Sequence, residues 1–194
     1  MTVIKLGKEE HFSGIASINN LHSHVSENLI LATKRTSELL RRAGVRHVLA
    51  GGVAVSCNGY SRTTSNIDWA VGKCAFEFRE QGIFLRPELP VKFAGVPVHY
   101  LAPTDPFEQM MLEQYLVIPL SGEVPVLQLG PLTVMKLIGR RHKDCADLIE
   151  LFKRRLSELP ALKEFVKSNL PSQADMLDDL IACAESELAT EGLP

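Results

Sequence analysis

The stretch HVLAGGVAVSCNGYSRTTSNIDWAV, residues 47–71, decides how this chain is read. An apolar segment runs into Gly51-Gly52, then into small residues, then through Arg62-Thr63-Thr64 to Asn66-Ile67-Asp68. A glycine pair after a strand lets backbone N–H groups come close to a polyphosphate, because no Cβ stands in the way. A helix that follows points its positive end at the same place. Arg62, Thr63 and Thr64 supply a guanidinium fork and hydroxyl donors. Residues 66 and 68 are two apart on a strand, so their side chains share one face. Two carboxylates there would clamp divalent cations for phosphoryl transfer. One of the two positions is an amide, Asn66.

Working outward, SENLILATKRTSELLRRAG (26–44) reads as a helix, with Ser26 as cap, Leu29, Ala32, Thr36, Leu39, Leu40 and Ala43 at helical spacing, and Gly44 as the stop. VRHVLAGG reads as a buried strand, VAVSCNGY as a short helix closed near Asn58-Gly59, and NIDWAV as a second strand beside the first. Trp69 then points to the face opposite Asp68, into the core. VKFAGVPVHYLAP is a hairpin about Ala94-Gly95, and PFEQMMLEQY a short helix begun by Pro106. VPVLQL is another strand. PLTVMKLIGRRHKDCADLIELFKRR reads as a long helical stretch, on which, if the helix is continuous, Lys136, Arg140, Lys143 and Asp147 form a polar stripe, and helices follow around 158–169 and 172–189.

This order predicts an α+β fold, a mixed sheet flanked by helices with a helical C-terminal part. The expected divisions are an arm over 1–22, a domain over 23–156 and a helical extension over 157–194. At 194 residues and 45% hydrophobic content the chain can bury one core, and its net charge of −2 gives no general attraction to nucleic acid or anionic lipid. Apolar runs are too short for a membrane span and the N-terminus does not read as a signal peptide. Cys57, Cys74, Cys145 and Cys183 are scattered without zinc spacing, so reduced thiols and a cytoplasmic location are expected.

Gly51-Gly52-Val53-Ala54, Gly59-Tyr60-Ser61-Arg62-Thr63-Thr64 and Asn66-Ile67-Asp68 together resemble the nucleotidyltransferase (polymerase-β-like) superfamily, most closely its small bacterial branch related to abortive-infection toxins. That branch reads Gly-Gly-x-Ala, Gly-x-x-Arg-x-Thr and Asp-Ile-Asp, with a Lys-Asp-x-x-Asp helix downstream, matched by Lys143-Asp144 and Asp147. The resemblance covers roughly residues 25–155. It implies Mg²⁺ held by Asp68 and Asn66, a catalytic set of Asp68, Asn66 and His99, and a nucleoside triphosphate bound by Gly51, Gly52, Arg62, Thr64 and Lys143. The acceptor would be a hydroxyl on RNA, protein or a small molecule.

Two positions depart from the family. Its first aspartate falls on Asn66 and its third on His99 in VPVHYL, so Asp68 alone remains of three. An amide brings no charge to Mg²⁺. Asp105 and Glu108, after the third strand, are the nearby carboxylates that could compensate. Simpler roles stand beside these: a tight turn for Gly51-Gly52, a surface or structural contact for Arg62, a histidine satisfied by a neighbour for His99, solvent exposure for His22 and His24, and a solvated face for the Lys136 stripe. Two functions follow, a nucleotidyltransferase with a weakened metal site, or a catalytically inactive nucleotide- or protein-binding module, including a toxin–antitoxin component.

Overall fold

The computed structural model describes residues 26–103, 107–119 and 123–192. The expected arm, with His22 and His24, lies outside the described residues, as do Asp105 and Pro106. The first helix, α1 (Glu27–Arg42), starts where Ser26 Oγ accepts a hydrogen bond from the Leu29 amide at 3.3 Å. Its buried face carries Leu29, Ala32, Thr36 and Leu40, and Gly44 turns the chain away at φ +69°. Strand β1 (His47–Ala50) passes directly into α2 (Gly51–Cys57), so both glycines lie within the first turn of that helix. Asn58 closes α2, its Nδ2 donating to Ala54 O at 2.8 Å and across to Leu127 O at 3.0 Å.

Strand β2 (Ile67–Val71) returns antiparallel to β1, with Ala50 opposite Asp68 and Leu49 opposite Trp69. A hairpin that the sequence pattern does not announce follows, β3 (Phe76–Arg79) and β4 (Gly82–Leu85). The expected hairpin about Ala94-Gly95 is β5 (Lys92–Phe93) and β6 (Val96–Leu101), with both turn residues at positive φ, as a two-residue turn matched to sheet twist requires. Then come α3 (Phe107–Glu113), β7 (Tyr115–Pro119) and β8 (Glu123–Leu127). The six-stranded sheet runs β5-β6-β2-β1-β8-β7. β2–β6 and β1–β8 are parallel and the other pairs antiparallel, so the sheet is mixed.

The remaining helices are α4 (Leu129–Gly139), α5 (His142–Arg154), α6 (Leu159–Asn169) and α7 (Ala174–Glu191). The architecture is therefore α+β, with helices gathered after the last strand. The long helical stretch expected from residue 131 to 155 is not continuous but forms two helices. Arg140 takes a left-handed conformation at φ +50°, its amide still bonded to Lys136 O at 3.0 Å, and α5 begins two residues later. The stripe of Lys136, Arg140, Lys143 and Asp147 consequently does not exist as one helix face. Lys136 and Asp147 are buried, Arg140 donates to Gln173 Oε1, and Lys143 is exposed.

One core joins both halves. Leu29, Leu49, Ile67, Trp69 and Leu127 belong to the same buried cluster as Leu132, Leu148, Phe152, Leu162 and Ile181. Each such fully buried side chain contributes roughly 1.5–3 kcal/mol relative to exposure. Trp69 is on the core face as expected, its Nε1 donating to Thr36 Oγ1 at 3.0 Å and its ring meeting His47 edge-on. Among the described residues no helix is long and apolar enough to cross a membrane.

Candidate functional site

The site forms where the sheet centre meets the start of α2. Strand pairing sets Asp68 beside Ala50, so its carboxylate lies against Gly51 at the helix entrance. Gly51 has φ +60°, and a Cβ there would overlap Asp68 Oδ2. Here glycine is needed twice over, for the left-handed backbone and for the space. Asp68 is also the register partner of His99 on β6. His99 Nδ1 lies 3.1 Å from Asp68 Oδ1, and Asn66 Nδ2 donates to the same oxygen at 2.8 Å. With its proton on Nδ1 the imidazole is a second donor to Asp68. The three residues read as the reduced metal shell are thus neighbours, the Asp68 side chain 21% exposed and that of His99 57% exposed.

Gly52 makes room for the next segment. A Cβ on it would sit 2.7 Å from Thr64 Oγ1 and 3.1 Å from Arg62 Nη1. The Arg62-Thr63-Thr64 segment therefore packs on the glycine turn, and the turn's closest visitors are the chain's own side chains.

Behind this layer lies a chain of ion pairs. Arg62 forks onto Asp147, with Nε 2.5 Å from Oδ1 and Nη2 2.8 Å from Oδ2. Lys136 Nζ lies 2.6 Å from Asp147 Oδ2 and 3.1 Å from Asp144 Oδ1. Arg141 closes the series, its Nε 2.7 Å from Asp144 Oδ2 and its Nη2 3.1 Å from Oδ1. Asp144 also receives the Arg141 amide, so it caps α5. Lys136, Asp144 and Asp147 side chains are each 2% exposed. Such charges stay in a core only when paired and hydrogen-bonded. Burial pushes the Asp144 carboxyl up, but Arg141 and Lys136 outweigh it and hold it below the usual carboxylate range. The hydrogen bond to Asp147 raises Arg62, and that to Asp144 raises Arg141, which also feels Asp68 and Asp147. The break at Arg140 has its reason here. It turns α5 back so that Asp144 reaches Lys136, and Gly139 leaves space, since a Cβ there would lie 2.8 Å from Asp144 Oδ2.

Of the residues named from sequence, Asp68, Asn66, His99, Gly51, Gly52, Arg62 and Thr64 converge. Lys143 stands apart, exposed on the first turn of α5. Sequence reasoning passed over Arg141 and the pairing of Lys136. A signal for both was the crowding of opposite charges in RRHKDCAD immediately after Gly139.

This donor set is a poor match for magnesium. The ion takes hard oxygen ligands at about 2.0–2.1 Å in octahedral geometry. Asp68 is one carboxylate whose Oδ1 already meets two nitrogens, and Asn66 turns a donor, not its oxygen, toward the shared space. Among the described residues no group of three or more His, Cys, Asp or Glu side chains could hold a metal ion. The residues brought together do not fit Mg²⁺.

No family model matches the chain, and no curated protein matches it. Among solved structures it is similar to an antigenic nucleotidyltransferase-like protein from Paracoccidioides brasiliensis, 14% identical, covering 80% of this chain and 94% of that one at a TM-score of 0.47.

Proposed function

We propose that this chain is a nucleotidyltransferase-type protein that works as a nucleotide-binding module and does not carry out metal-dependent nucleotidyl transfer. Motif spacing from Gly51 through Asp68 supports the class of site. One observation carries the loss of transfer: Asp68 faces an amide and an imidazole where a two-metal centre needs carboxylates. Among the described residues, no second carboxylate joins Asp68 to hold a metal or to activate a hydroxyl in the way that reaction requires. The retained glycine turn, Arg62 and Thr64 keep the features that suit a triphosphate. Incubation with each of four labelled nucleoside triphosphates and Mg²⁺ or Mn²⁺ tests this. Binding without label transfer to protein, RNA or a small hydroxyl acceptor supports the module, and metal-dependent turnover that Asp68→Ala abolishes sinks it.

A further inference from the structure

We infer that Arg62 and Arg141 form a two-guanidinium clamp that holds a polyphosphate without any divalent cation. This deepens the proposed nucleotide binding and rests on it. The ion-pair series Arg62–Asp147–Lys136–Asp144–Arg141 is symmetrical about the buried ammonium, and it presents one arginine at each end. Arg62 reaches Gly52 at the entrance of α2, where its Nη1 would stand 3.1 Å from a Cβ. Arg141 grips Asp144, which shares the Lys136 ammonium with the Asp147 that Arg62 grips, so one continuous network ties both guanidiniums to the segment packed on the glycine turn.

Their hydrogen-bond capacity also suits the role. A guanidinium carries five N–H donors in a fixed fork. Arg141 spends its Nε and Nη2 on Asp144 while its side chain remains 64% exposed, so the rest of the fork is open to solvent. Arg62 spends Nε and Nη2 on Asp147 and places Nη1 3.2 Å from Thr63 O. Each arginine is anchored by its carboxylate, which lowers the ordering cost of gripping a second anion. Arg140 and Lys143 flank Arg141 on the exposed α4–α5 junction. Within the network itself, the cations Arg62, Lys136 and Arg141 stand against the carboxylates Asp144 and Asp147. A phosphate chain would thus find fixed cations where related chemistry uses metal ions.

Calorimetric titration of the whole protein with ATP, GTP, CTP, UTP and inorganic tripolyphosphate, in EDTA and in Mg²⁺, tests the clamp. The expected result is affinity in EDTA within about threefold of that in Mg²⁺, competition by tripolyphosphate, and weakening of roughly tenfold or more in Arg141→Ala, as befits a lost charge-assisted hydrogen bond. Arg79→Ala, on the β3–β4 hairpin, should bind as the unmodified protein does. Nucleotide binding that is lost in EDTA overturns the clamp and leaves the nucleotide-binding reading standing. Failure to bind any nucleotide in either condition overturns both. The EDTA comparison uses the unmodified chain, so it decides even where a variant folds poorly.

Discussion

His99 stands directly opposite Asp68 in the parallel pairing of β2 and β6, with Nδ1 3.1 Å from the Asp68 carboxylate. Side chains in register on neighbouring strands share a face, so whatever occupies position 99 completes the surroundings of Asp68. A carboxylate there would add charge for a cation. An imidazole brings no such fixed negative charge and, with its proton on Nδ1, donates to Asp68 from within the protein.

Gly51→Ala should destabilise the fold. A left-handed backbone costs a non-glycine residue roughly 1–2 kcal/mol, and the new methyl group would overlap Asp68 as well. Urea unfolding of Gly51→Ala, Asp68→Ala and the double variant separates these effects. The double variant should recover the overlap but not the backbone strain. Strict additivity of the two single changes would show that Asp68 does not press on the turn.

Lys136→Met should be the most damaging of the substitutions considered. It leaves Asp144 and Asp147 buried with only the two arginines, and breaking a buried ion pair costs about 3–5 kcal/mol. The midpoint of chemical denaturation measures it. A loss below about 1 kcal/mol, the value of an exposed pair, would mean that the ammonium does not hold the two carboxylates together.

His47 gives stability a pH dependence. Its Nδ1 lies 2.8 Å from Val45 O and its Nε2 lies 2.8 Å from Ser37 Oγ, an arrangement that suits the neutral ring, donating to the carbonyl and accepting from the hydroxyl. Burial pushes its pKa below the ordinary value, with Arg41 adding to the effect and the Val45 carbonyl opposing it. As pH falls below about 6.5 the unfolded chain takes up the proton more readily than the folded one. Stability from this group is therefore complete above that pH and declines beneath it. Denaturant melts between pH 8 and pH 5 should show the decline, and His47→Gln should flatten it. An equal slope in both proteins would assign the decline to other groups, such as Asp144, whose lowered carboxyl acts at more acidic pH.

Much of the sheet and its glycine turn was legible in the sequence because local chemistry dictates them. Ser26 and Gly44 bracket α1, and positive φ at Ala94 and Gly95 follows from a two-residue hairpin. The face shared by positions 66 and 68 follows from strand period alone. The break at Arg140 was not legible, since an arginine carries no local preference for φ +50° and takes it to serve a tertiary contact. The same holds for Arg62 and Asp147, which are 85 residues apart and meet only when α5 folds back. Strand β7 was obscured because YLVIP follows α3 with just Gln114 between them. Lys143 drew attention through its motif position, whereas the buried ammonium is supplied by Lys136, one helix earlier.

On the proposed reading, Asn66 and His99 leave Asp68 without the carboxylate partners that a divalent cation needs. Titration of Mg²⁺ and Mn²⁺ into the unmodified protein and into the double variant Asn66→Asp with His99→Asp tests it most directly. The unmodified chain should bind neither ion specifically. The double variant, with three carboxylates on one face, should gain affinity of at least about tenfold, equal to roughly 1.4 kcal/mol. Tight binding by the unmodified protein, or no gain in the double variant, would contradict the claim.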